Sequence, residues 1–157
     1  MLIQFQNYLT FENIFLWSNI IILPFWIVIT IFPHSRIYKI FVNSLIFPLI
    51  FASAYAFIIY QIVLMEESIL DIFKLYLSID NLYTIFATES FLLLFWLHFL
   101  TLNFFLGSWI SRDAVKYSIK KGVVFIPLVL IFFLGPIGLV LYWLIRIFYS
   151  KRLSFHD

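Results

Sequence analysis

Hydrophobic positions along this chain gather into four long runs, at residues 14–32, 45–65, 91–110 and 123–148. A helix needs roughly 20 apolar residues to cross the hydrocarbon core of a bilayer, and each run is long enough. Backbone groups in lipid must be satisfied within the segment, so the runs read as helices. The ten-residue alternation of an outer-membrane barrel is not visible. The pattern predicts an all-α fold: an integral membrane four-helix bundle, one transmembrane domain over residues 1–157.

The polar connections are unequal. Residues 34–39 form a short basic turn opened by Pro33, a suitable helix stop. Residues 111–122 form a second basic loop holding Arg112, Lys116, Lys120 and Lys121. The middle connection, 66–90, is longer and acidic, with Glu66, Glu67, Asp71, Asp80 and Glu89 against Lys74. Within it Glu67, Asp71, Lys74 and Ser78 fall at helical spacing, with Ile69, Ile72, Phe73, Tyr76 and Leu77 on another side. That predicts a short amphipathic interfacial helix over 66–82, between the second and third spans. Thr88 is placed to cap the third.

Composition agrees with the pattern. The chain is 64% hydrophobic and 11% charged, with a mean hydropathy of +1.07. A soluble domain carries about 25% charged residues. The net charge of +2 is too small and scattered for a nucleic-acid partner. The absence of cysteine excludes disulfides, thiolate metal sites and cysteine catalysis. Neither a P-loop nor a GxGxxG pattern occurs. The first run lacks the basic flank and cleavage context of a signal peptide, and no transit peptide is seen before it. Counting Lys and Arg gives six in the two short basic loops against four elsewhere, which favours both termini away from the cytoplasmic side. The basic tail, Lys151 and Arg152, pulls the other way.

Candidate chemistry lies where polar groups interrupt the last two runs. His98, Thr101 and Asn103 sit among Phe, Leu and Trp, where each needs a partner. On helical geometry His98, Thr101, Phe105, Ser108 and Arg112 share a face, predicted to point inward, with Asn103 on its flank. His98 reads either as an acid or base or as an interhelical hydrogen-bonding group. One histidine without a neighbouring His or carboxylate does not make a metal site, and no metal or cofactor is expected. Arg112 and Asp113 read as a salt bridge, a headgroup contact or an interfacial topology anchor. Gly135-Pro136-Ile137-Gly138 predicts a proline kink within the fourth helix, its glycines admitting a backbone or a flat ligand. Trp26, Trp96 and the 21 phenylalanines form an aromatic interior suited to a long conjugated molecule.

One family shows the same order of residues: Asn19 with Leu23-Pro24-Phe25-Trp26, Pro33, Tyr55, Trp96-x-His98, Asn103, Gly107-x-Trp109, Arg112-Asp113-Ala114, Pro127, and Gly135-Pro136-x-Gly138 with Tyr142. Over about residues 14–145 the chain resembles the abscisic-acid-deficient-four-like family. These are small four-helix membrane proteins of plant plastids, bacteria and algae. A plastid member is required to form neoxanthin from violaxanthin. The family commonly carries aspartate where this chain has Asn103, so acid–base work by that carboxylate would be lost or replaced here.

The resemblance implies a protein of a bacterial inner membrane or plastid membrane that binds a carotenoid or other isoprenoid lipid, or helps to convert it by isomerisation or epoxide opening. Its ligand-binding candidates are Trp96, His98, Asn103, Arg112, Asp113, Gly135, Pro136 and Gly138, with His98 the catalytic candidate. Epoxide opening needs a proton delivered to oxygen, which an imidazole can supply. The alternative is a non-catalytic scaffold or accessory subunit of a larger membrane complex. Expected partners are membrane lipids, an isoprenoid ligand and another copy or complex subunit.

Overall fold

A computed structural model describes residues 10–33, 35–38, 40, 46–64, 73–74 and 76–150. These are all-α, without a strand among the described residues. The helices are α1 (Phe11–Ile31), α2 (Ile46–Leu64), α3 (Ile79–Phe86), α4 (Glu89–Lys116), α5 (Lys121–Leu134) and α6 (Pro136–Ser150). α1 and α4 are each long and apolar enough to cross a membrane.

The polar residues of the first helices are satisfied locally. The Asn13 amide donates to the Thr10 hydroxyl oxygen at 3.2 Å, which caps α1. Further along, Ser18 and Asn19 donate to the Phe15 carbonyl, at 2.8 and 2.7 Å, and Thr30 to the Trp26 carbonyl at 2.7 Å. In α2, Ser53 donates to the Leu49 carbonyl at 2.8 Å. Bonding back one turn lets polar side chains sit in apolar helices without a distant partner.

The first part of the amphipathic segment expected at 66–82, including Glu67, Ile69, Asp71 and Ile72, lies outside the described residues. The helix that is described, α3, begins later, at Ile79, where the Ser78 hydroxyl accepts from the Asn81 amide. α4 starts one residue after Thr88, whose carbonyl accepts from Leu92 at 3.0 Å. It continues six residues past its expected end, so Arg112 and Asp113 are helical rather than in a loop. That last stretch buries Ser111 and Ala114, which reward continuing the helix.

The fourth run is not one kinked helix. It breaks at Gly135, whose φ of 50° and ψ of −95° are left to glycine, and Pro136 opens α6 as its first residue. At a first position proline gives up no helical hydrogen bond, so it starts a helix there rather than bending one. Gly135 packs beside Asn103 of α4, whereas Tyr142 and Arg146 of α6 reach Asp113 further down α4. α6 therefore folds back along α5 as a hairpin. Gly138 marks the closest approach: a Cβ there would lie 2.5 Å from the Ile131 amide nitrogen and 2.6 Å from the Pro127 carbonyl oxygen.

Contacts divide the chain into two compact units. One takes Met1–Ile21 and Phe47–Phe99, and the other Ile22–Ile46 and Leu100–Asp157. In the first, Ser18, Phe51, Ile58, Ile62, Leu93 and Leu97 are buried. In the second, Ile29, Ile110, Leu128, Ile131 and Tyr142 form the centre together with a buried charge, Arg146.

Candidate functional site

The second unit concentrates the polar side chains that have no place in a purely apolar core. Asp113 is the only carboxylate between Glu89 and Asp157. Its Oδ2 accepts from the Tyr142 hydroxyl at 2.6 Å and from Arg146 Nε at 2.7 Å. Arg146 also donates from Nη2 to the Tyr117 hydroxyl at 3.0 Å, and its guanidinium lies 4.7 Å from that ring's centroid. The Arg146 side chain is 1% exposed and that of Asp113 10%. Burying an ion pair costs several kcal/mol per ion before the partners and hydrogen bonds offset it. Here the charges meet in one oxygen with two further hydroxyls, so α6 is latched to the end of α4. Tyr142 and Arg146 are one turn apart on α6, which is why both reach the same carboxylate.

Fifteen ångströms along α4 by helix rise, ten residues earlier, the tip of the hairpin meets Asn103 (about 1.5 Å per residue). A Cβ on Gly135 would come within 2.8 Å of Asn103 Oδ1. Only glycine fits that turn. Asn103 is 5% exposed, and its Nδ2 has no hydrogen-bond partner. One turn on, Gly107 carries the ring of Trp26, whose nearest carbon lies 2.6 Å from the position a Cβ would take. The ring stands edge-on to Phe104 and Phe132, at centroid distances of 6.2 and 5.4 Å. Trp26 is 6% exposed, and its Nε1 is likewise without a partner. Beside it runs a groove of about 300 Å³ lined by Leu23, Trp26, Ile27, Thr30, Phe132 and Phe133, among others, with no titratable side chain.

A smaller seam ties the end of α1 to α4. Ser111 donates to the Ile29 carbonyl and the buried Tyr38 donates to the Ser108 carbonyl, both at 3.4 Å. Burial raises the Tyr38 phenol above its ordinary 10.0, opposed in smaller measure by hydrogen bonds from Ser111 and Ser108 and by the charge of Arg112.

The residues singled out from sequence therefore separate. Asn103 and Gly135 come together, and Gly138 packs on α5. Asp113 joins a cluster with Tyr142, while its neighbour Arg112 is exposed on the other side of the helix. Pro136 is exposed at the start of α6. Trp96 belongs to the first unit, where its Nε1 donates to Asn19 Oδ1 at 3.3 Å and its ring lies against Phe15 and Phe99. His98 is exposed on the outside of α4, so the inward-facing reading of that residue is corrected. Phe105 and Arg112, expected on its inward face, are exposed too, because the flank carrying Asn103, Gly107 and Ile110 is the one that packs. Gly107 lets the Trp26 ring approach α4 closely, which a side chain with a Cβ would prevent.

Arg146, Tyr117 and Trp26 carry the two polar clusters, yet sequence reasoning gave Arg146 only a place in the charge count. The signal was present in the four-residue spacing of Tyr142 and Arg146 within an apolar run. A lone arginine there requires a carboxylate, and Asp113 is the sole one nearby. Among the described residues no group of three His, Asp or Glu side chains is placed to hold a metal ion.

No curated protein and no solved structure matches the chain. A family model described as ABA DEFICIENT 4-like matches residues 13–142, from α1 to the middle of α6, and takes in Trp26, Asn103, Asp113, Tyr117 and Tyr142. The chain thus belongs to the ABA DEFICIENT 4-like family.

Proposed function

We propose that this is an integral membrane protein that holds a carotenoid-like isoprenoid lipid and assists its conversion, a role within the carotenoid and neoxanthin chemistry associated with its family. Family membership over residues 13–142 is the observation that carries the reading. The surface supports the membrane part. Leu16, Trp17, Leu23, Ile27, Phe133 and Val140 are all exposed, and only 28% of the apolar window of α1 and 44% of that of α4 is buried. A soluble protein rarely leaves so much apolar surface to water.

The groove beside Trp26 supports the ligand part, since it is apolar, aromatic on one wall and at the small end of the usual size for ligand sites. Its lining supplies no acid or base. The chemistry it can perform is to bind and orient, with any proton for isomerisation or epoxide opening delivered from outside the groove. That same lack favours the second reading, a non-catalytic accessory subunit that presents pigment to a partner. Extraction in mild detergent, followed by an absorption spectrum and mass analysis, tests the binding both readings share. Co-purifying isoprenoid supports it. Protein that carries none, and takes up none when isoprenoids are supplied, overturns it. Turnover of a bound substrate by the purified protein then separates the two.

A further inference from the structure

Two buried N–H donors stand without acceptors on one side of α4, and they belong to different helices. Asn103 Nδ2 lies at the hairpin tip, and Trp26 Nε1 belongs to an indole whose six-membered ring packs on Gly107, one turn further along the same face of α4. Both side chains are more than nine-tenths buried. Buried tryptophan usually finds a partner for its N–H, and an unpaired buried amide loses its full hydration. In lipid there is no bulk water to repair either. Both unsatisfied groups are donors, so what is missing is an acceptor. The Trp26 ring that holds one of them is also a wall of the apolar groove between α1 and α5.

The geometry points to a subsite for oxygen: a neutral isoprenoid lies in the groove with a carbonyl, ether, epoxide or hydroxyl oxygen directed at Trp26 Nε1 and Asn103 Nδ2. The inference rests on the isoprenoid-binding reading and adds to it the group that is recognised and the two residues that recognise it. An anionic headgroup is a poorer fit, because the groove has no cationic side chain among its lining residues. A pure hydrocarbon would leave both donors unpaired. The glycines at 107 and 135 keep the place: a Cβ at either would press on the Trp26 ring or on Asn103 Oδ1.

Purified protein in detergent is titrated with β-ionone, a cyclic isoprenoid ketone, and with the deoxygenated hydrocarbon of the same skeleton, followed by tryptophan fluorescence. The wild type should bind the ketone about tenfold more tightly, the worth of hydrogen bonds to groups otherwise left unpaired. Asn103→Leu and Trp26→Phe should each reduce that preference, and together abolish it, read as the ratio of ketone to hydrocarbon affinity within each variant. Asn103→Leu should also leave the Tm of the ligand-free protein unchanged or raised, because it removes an unpaired group. Equal affinity for both probes overturns the oxygen subsite and leaves isoprenoid binding standing. So does a preference that survives in the double variant, or a Tm that falls in Asn103→Leu. Binding of neither probe overturns the isoprenoid reading and this inference with it.

Discussion

Asp113 is the residue on which the most other side chains depend. With Tyr142 and Arg146 both directed at one of its oxygens, replacing it strands a guanidinium that is 1% exposed. Asp113→Ala is expected to destabilise the protein by about 3–5 kcal/mol, the range for breaking one side of a buried pair. Replacing both partners, as in Asp113→Leu with Arg146→Met, should restore most of that loss, because no uncompensated charge remains. Thermal unfolding in detergent measures both, and equal losses in the single and double variants would disprove the coupling. Tyr38 gives a pH signature on the same principle. Its phenol is raised above 10.0 in the fold by burial, so its contribution is complete below about pH 10 and is lost as pH rises past that value. Tyr38→Phe should remove this alkaline loss, seen as a smaller fall in Tm between pH 9 and pH 11. His98 teaches the opposite lesson about single residues. Its polarity made it the evident candidate in an apolar run, but polarity alone does not say which way a helix is turned. The flank that packs carries Gly107, on which the Trp26 ring lies.

At the scale of elements, the all-α class was legible from the apolar runs, and a helix end was legible where a small polar residue marks it. Thr88 directly before α4 is of this kind, whereas Ser78, which caps α3, reads from sequence as part of the longer amphipathic helix. The break in the fourth run was half legible. Gly-Pro-x-Gly announced an irregularity, yet sequence reasoning assigned it to the proline. The glycine does the work, because a positive φ turns the chain through a hairpin, whereas an internal proline merely bends it. The two causes predict different mutants. Pro136→Ala should change stability by less than about 1 kcal/mol, since proline at a helix's first position gives up no hydrogen bond. Gly135→Ala should cost about 1–3 kcal/mol through its backbone alone, with further loss from the approach to Asn103 Oδ1. Gly138→Leu should part α5 from α6 altogether, because its side chain would meet backbone atoms that cannot move aside. Reversing the order, with Pro136→Ala the more damaging change, would restore the kinked helix.

For the whole molecule the hairpin decides topology. α4 has 28 residues, about 42 Å at the helical rise, and α5 has 14, about 21 Å, which falls short of the roughly 30 Å hydrocarbon core. The tip of the hairpin meets Asn103, midway along α4, before α6 returns to Asp113. If this hairpin enters a bilayer halfway and leaves where it entered, Ser150 lies on the side of Lys120. The four-span reading instead expects both termini and the acidic middle connection on one side. If α4 crosses, Ser78 before it and Lys120 after it lie on opposite sides by chain order alone. On this reading Arg36, Arg112, Lys116, Lys120, Lys121 and Arg146 fall towards one side, which the positive-charge rule would assign to the cytoplasm or its equivalent. The chain has no native cysteine, so single cysteines at Ser78, Lys120 and Ser150 report directly. Labels at Lys120 and Ser150 should react from one face of the membrane and a label at Ser78 from the other. A Ser150 label reacting from the Ser78 side would mean that residues 121–150 cross the bilayer, and the hairpin would have to open.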